Sequence, residues 1–277
     1  MALKEDRHKV AVVVPVYKAR MNDEELRSFR QTLRVLFKHP IILVHPQNLD
    51  VAAYLKVAEI GRKQLEFQAF DEKFFDGLEG YNQLMLSERF YRAFSDYEFV
   101  LICQLDVFVF RDELMYWCNK GYDYIGAPWV KQDDGGVRLV VGNGGFSLRR
   151  IRFFLDFFDS RKLVFPIKNL SKHIHLRDKV YTRWIIWLLM AFGWHNRSRK
   201  VASRCYWNED GFWSCGLNDS RFVIHKPEAL EAVGFAFEDC PSMMFGLNQN
   251  RLPFACHAYR KHEYESFWKN HLESDAF

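Results

Sequence analysis

The sequence predicts an α/β protein: a mixed, mostly parallel sheet flanked by helices. Three observations carry that expectation. Residues 9–17 (KVAVVVPVY) and 99–103 (FVLIC) are continuous apolar runs of strand length, the pattern of strands buried on both faces. Strand-like and helix-like segments alternate over the first half of the chain, as crossover connections between parallel strands require. The 99–103 run also ends abruptly in polar residues, and open α/β sheets bind ligands beyond the carboxyl ends of their strands.

In chain order, the 9–17 strand belongs in mid-sheet. Asn22-Asp23-Glu24-Glu25 starts a helix, with acids where the helix dipole favours them, and that helix runs to about Phe37. Residues 40–45 (PIILVH) form a second strand and 64–70 a third, shorter one. Residues 80–94 (GYNQLMLSERFYRAF) have a helical period, so a helix beginning near Gly80 is expected. Tyr81 and Asn82 would then stand at its N-terminus, where anionic groups such as a diphosphate are favoured.

The central stretch, 97–112, reads YEFVLICQLDVFVFRD. Gln104 and Asp106 are two apart at the strand end, so both side chains point the same way. Residues 121–129 read as a strand and turn, and Asp133-Asp134-Gly135-Gly136 as a second turn. Residues 140–148 (VVGNGGFSL) lead into and out of a glycine loop that permits close backbone approach, without the Gly-Lys-Ser/Thr of a phosphate-binding P-loop. After a helix beginning at 153–158 comes 207–214 (WNEDGFWS). There Glu209 and Asp210 lie between aromatic residues able to exclude water and raise a carboxyl pKa toward that of a general base. The chain closes with 252–263 (LPFACHAYRKHE), which contains His257, and a polar tail expected to fray after Trp268.

Composition sets limits. The 277 residues suffice for one large α/β domain, and we expect a single domain with a first half over 9–130, a second over 131–265, and an insert at 161–204. The six cysteines lack C-x-x-C or zinc-ligand spacing and are expected as reduced thiols. The first residues lack a secretory signal pattern, so a cytoplasmic protein is expected. The insert holds eleven Lys or Arg against one acid, a surplus of ten, so the rest of the chain is acidic although the net charge is +4. A nucleic-acid partner is not expected from that surplus, because no nucleic-acid motif accompanies it. Within it, 184–194 (WIIWLLMAFGW) is too short to span a bilayer. Two readings stay open: a helix lying in an anionic membrane surface through 179–200, or a buried core helix. Apolar residues all round the segment suit burial better.

Taken in order, these motifs resemble those of GT-A-type glycosyltransferases with a Rossmann-like sheet, and specifically the DUF5672 family. The resemblance covers Val10 to about His262. It implies that Pro15, Val16 and Tyr17 receive the nucleotide base, and that Tyr81 and Asn82 belong to the donor site. Gln104-Leu105-Asp106 resembles the metal-binding Asp-X-Asp tripeptide, with an uncharged amide in the first place. His257 would close the coordination of an octahedral Mn²⁺ or Mg²⁺ with Asp106 and Gln104. Asn143, Gly144 and Gly145 resemble the Gly-Gly segment beside donor and acceptor. Asp210, or its neighbour Glu209, would be the base of an inverting transfer from a nucleotide sugar to a glycan or lipid-linked glycan of the bacterial surface. Two other classes stay open: a nucleotidyltransferase, which would want glycine after the first strand, and a silent nucleotide- or sugar-binding module.

Overall fold

A computed structural model describes residues 8–133, 136–173, 180–205 and 207–273. The valine-rich run forms β1 (His8–Pro15), and the chain continues through α1 (Asp23–Val35), β2 (Ile41–Pro46), α2 (Ala52–Ile60) and β3 (Glu66–Phe70). Asn22 and Glu25 close a reciprocal capping box at the start of α1, each side chain accepting from the other's backbone N–H at 2.9 Å. Phe29 and Leu33 are among the residues of α1 buried in the core. The central run forms β4 (Tyr97–Cys103), followed by β5 (Val107–Val109), α5 (Leu114–Lys120), β6 (Tyr124–Gly126), β7 (Pro128–Asp133), β8 (Gly136–Val141) and β9 (Phe146–Arg150). The last strands are β10 (Ala236–Phe237) and β11 (Ala255–His257).

The main sheet has the order β3-β2-β1-β4-β9-β6. Its first four strands are parallel, with Val12 opposite both Ile41 and Leu101, and β9 runs antiparallel between β4 and β6. The fold is therefore the expected mixed, mostly parallel sheet flanked by helices. The strand order reverses between β1 and β4, which opens a crevice at their carboxyl ends. Beyond Cys103 the chain leaves this sheet. Val107 N donates to Gln104 O at 3.1 Å, and β5 then pairs antiparallel with β11 in a three-stranded sheet of order β10-β11-β5. Residues 104–106 thus lie at the junction of two sheets.

Several boundaries differ from expectation. The helix expected from Gly80 is two helices, α3 (Gly77–Met85) and α4 (Glu88–Ala93), because the Ser87 hydroxyl accepts from Phe90 N at 3.2 Å and starts a new one. Tyr81 and Asn82 therefore sit in the second turn of α3 and not at its N-terminus. β7 and β8 pair antiparallel up to Asp133 and Gly136, and the turn expected over 133–136 falls on Asp134 and Gly135, outside the described residues. The tail is helical over Lys269–Glu273 and buries Leu272, so fraying does not begin at Trp268.

α6 (Ile151–Asp159) precedes the insert, which carries α7 (Val180–Ala191) and α8 (Ser198–Ser203); residues 174–179 of the insert lie outside the described residues. α7 is not apolar and buried all round. Met190 is buried and Ile186, Trp187 and Ala191 pack on the core, while Trp184, Ile185 and Leu188 face outward. Among the described residues, no helix is long and apolar enough to cross a membrane. All six cysteines are free thiols.

Candidate active site

The crevice between the ends of β1 and β4 is a cleft of about 430 Å³. Its lining brings together Pro15, Val16 and Tyr17 from the end of β1, Tyr81 from α3, and Gln104 and Asp106 from the end of β4. Val16 is buried, whereas the Tyr17 side chain is 61% exposed. The Tyr81 hydroxyl is buried and makes no hydrogen bond of good geometry, although the Gln104 side chain is close enough to act on it; burial, with Glu209 adding, raises its pKa.

On the second sheet, β11 delivers His257 to the same point. Its Nε2 lies 3.2 Å from Gln104 Oε1 and 3.3 Å from Asp106 Oδ1. Its Nδ1 lies 2.9 Å from Glu238 Oε1, a residue sequence reasoning passed over. Glu238 also accepts from Asn143 Nδ2 at 2.8 Å and from Trp129 Nε1 at 3.0 Å, so the ring is clamped from behind. Burial would lower the His257 pKa, but Asp106 and Glu238 outweigh it and raise it to about 9. For Asp106, burial acts upward, while the hydrogen bond and charge of His257, with Lys261 nearby, bring the carboxyl below its ordinary value. Ala258 adopts φ +50° directly after His257, and its N–H donates to Asp106 O at 3.1 Å. That left-handed conformation at a residue with a side chain is the kind of local strain kept where a side chain must be aimed.

The glycine loop between β8 and β9 joins this cluster to the second acidic segment. A Cβ at Gly145 would lie 2.3 Å from His257 Nε2 and 2.7 Å from Gln104 Oε1, and one at Gly144 would lie 2.2 Å from Glu209 Oε1. Only glycines let both groups approach the loop so closely. Asp210 is half-buried; its Oδ2 accepts from Gly144 N at 3.2 Å and its Oδ1 from Gly211 N at 2.7 Å. Burial raises its pKa above 3.8.

Glu209 and Asp210 have opposite surroundings. Glu209 is buried and its Oε1 accepts from Arg149 at 2.7 Å. Arg149 is itself fully buried and donates also to the Tyr91 hydroxyl at 3.1 Å and the Ser147 hydroxyl at 3.0 Å. Asn82 belongs to this scaffold: its Oδ1 accepts from Glu209 N at 3.0 Å, and its amide donates to Asn208 Oδ1 at 3.2 Å. Asn143 is likewise bound internally, since its Oδ1 accepts from Phe146 N at 3.1 Å while its amide donates to Glu238.

The donor set can be judged by its chemistry. A carboxylate, an amide oxygen and an imidazole nitrogen oriented by a second carboxylate converge on one point, a set that could hold a hard divalent cation once His257, whose raised pKa keeps it protonated at neutral pH, gives up its Nε2 proton. The set is poor in charge: among the described residues there is no group of three His, Cys, Asp or Glu side chains able to hold a metal. Such a site fits a cation whose coordination an anionic ligand completes.

A mostly parallel α/β sheet with a polar strand end, a cleft at its topological switch point and acidic side chains packed against one glycine loop is an arrangement in which open α/β sheets commonly bind ligands. The chain belongs to the family described as "Protein of unknown function (DUF5672)", whose profile matches residues 64–257. No curated protein matches it. Among solved structures it is similar to core-mannan synthase A (CmsA/Ktr4) from Aspergillus fumigatus in its Mn/GDP form, with 11% identity over 78% of this chain and 71% of that chain and a TM-score of 0.44. It is also similar to the apo structure of the bifunctional glycosyltransferase WbbM, with 11% identity over 93% of this chain and 47% of that chain and a TM-score of 0.45. The chain thus spans about half the length of WbbM. Neither likeness bears on substrate or mechanism.

Proposed function

We propose that this protein is a glycosyltransferase that moves a sugar from a nucleotide sugar to an acceptor hydroxyl with inversion. The observation that carries the reading is the convergence of Gln104, Asp106 and His257 at the mouth of the cleft, with Asp210 on the other side of the same glycine loop. In this reading 9–130 serves mainly the donor, and 131–265 the acceptor and the base. The nucleotide occupies the cleft, its base against Tyr17 and its diphosphate toward Asp106.

Asp106, His257 and Gln104 would hold Mn²⁺ or Mg²⁺, which when bound supplies positive charge to the leaving diphosphate. Lys261, close enough to influence Asp106, contributes charge of the same sign. Asp210 takes the proton from the acceptor hydroxyl. Its two backbone N–H donors aim the carboxylate, and its raised pKa makes it a better base than an ordinary exposed aspartate. The acceptor oxygen forms the new bond to the anomeric carbon as the bond from that carbon to the diphosphate oxygen breaks, and the diphosphate leaves with the electron pair. Inversion follows from this single displacement. Glu209, engaged by Arg149, is not available as a second nucleophile.

A glycan or lipid-linked glycan of the bacterial surface is the proposed acceptor, in a cytoplasmic setting. The neutral Gln104 favours a second reading, a nucleotide-sugar-binding module without catalysis. One experiment separates the two: nucleoside diphosphate release from a panel of nucleotide sugars, by the native chain and by Asp210→Asn. Release that the substitution abolishes supports the transferase. Binding without release by the native chain would favour the module.

A further inference from the structure

α7 reverses the usual pattern of a surface helix, because its outward arc is apolar. Trp184, Leu188 and Phe192 recur one turn apart and are 69%, 49% and 80% exposed, with Ile185 beside them at 56%. Trp194, 73% exposed, extends the patch past the helix end. The inner arc, Ile186, Trp187, Met190 and Ala191, packs on the core and seats the helix with its other arc outward.

The segments on either side of this arc in the chain are basic, although one of their arginines, Arg199, is paired with Glu88 of α4. The 161–168 segment is bound to the end of α7: Val164 N donates to Asn196 O at 2.8 Å, and Arg197 donates to Arg161 O at 2.9 Å. Arg161, Lys162, Lys168, Arg197 and Lys200, from the segments that precede and follow α7 in the chain, are all exposed. The single acid of the whole 161–204 stretch is Asp178, outside the described residues.

We infer that the α7 face, with its basic border, docks the protein on an anionic lipid surface, its aromatic and aliphatic side chains entering the headgroup layer. Exposed tryptophans beside lysines and arginines match both components of such a surface. A second copy of the chain fits less well. An isologous contact through this face would bring two like-charged borders together. The inference stands apart from the donor-site reading, and it concerns contact with one leaflet, not insertion across it.

The test is co-sedimentation of the full chain with vesicles of phosphatidylcholine alone and of phosphatidylcholine with an equal share of phosphatidylglycerol. Binding to the anionic vesicles, weakened by added salt, is expected, with little binding to the neutral ones. The triple substitution Trp184→Ser, Leu188→Ser, Phe192→Ser should lower partitioning about tenfold or more. Lys162→Ala and Lys200→Ala should each lower it about fivefold. These positions are exposed, so the variants should melt like the native chain and bind nucleotide unchanged, which separates failure here from failure of the donor site. Equal sedimentation of native chain and triple variant would overturn the inference. So would absence of vesicle binding, whether alone or with a dimer that the triple substitution dissolves.

Discussion

Glu209 and Asp210 are adjacent in sequence, and exchanging each carboxylate for its amide should have different consequences. The Glu209 carboxylate lies 2.7 Å from an Arg149 guanidinium nitrogen, with the two side chains 3% and 0% exposed. Glu209→Gln keeps the shape and one acceptor but leaves a buried cation without its counter-charge. Breaking a buried pair from one side costs about 3–5 kcal/mol, which for a chain of this size lowers Tm by roughly 6–15 °C. Asp210→Asn disturbs less structure: one of its two backbone N–H donors loses its acceptor, a cost of about 1–2 kcal/mol or roughly 2–5 °C. Its effect on rate should be the larger, a fall of about 10²–10⁴ in sugar transfer, since the base is gone. The assay is thermal unfolding by circular dichroism beside single-turnover transfer at a temperature where both variants are folded. If Glu209→Gln melts like the native chain yet transfers no sugar, while Asp210→Asn remains active, the division of roles is refuted.

Three further outcomes are expected. Gly145→Ala forces a methyl group to within 2.3 Å of His257 Nε2, so that ring or the loop must move; a loss of about 1–3 kcal/mol in stability and clearly weaker nucleoside diphosphate binding should follow, measured by denaturant unfolding and calorimetry. Glu238→Ala removes the carboxylate behind His257 Nδ1, so nucleotide affinity in the presence of Mn²⁺ should fall about 10–100-fold, with a smaller change in chelator. The acid limb of the rate–pH profile should report Asp210. Because burial raises its folded-state pKa above 3.8, the active carboxylate form is lost as pH falls through that raised value, at a pH where an exposed aspartate would still be ionised. An acid limb at or below the ordinary carboxylate range would contradict this.

Much of the sheet was legible because its strands are unambiguous: the buried runs of β1 and β4 are too short for core helices, and their polar ends mark the switch point. Their partners were harder. β9 is a short antiparallel strand between β4 and β6, and nothing in its own residues says which strands it will join. Gly80 looked like a helix start, yet α3 begins at Gly77, where φ is +64° and the chain can turn sharply out of the preceding 3₁₀ segment. That shift of three residues moves Asn82 from a ligand-facing position to the backbone of Glu209. Glu238 could not be read because it follows a strand of only two residues, and its partners Trp129, Asn143 and His257 are distant in sequence. In α7 the apolar residues encircle the helix, and composition cannot indicate that half of them remain uncovered.

The most direct measurement of the central claim is calorimetric titration of uridine and guanosine diphosphates, each with Mn²⁺ and with chelator, into the native chain and Asp106→Ala. Asp106 is a partly exposed side chain at a strand end, so its removal should leave folding intact. One nucleotide is predicted to bind at a single site, more tightly with Mn²⁺, with that enhancement lost in Asp106→Ala. Undiminished binding by the variant, or no binding of either nucleotide to the native chain, would contradict a donor site at the junction of β4 and β11.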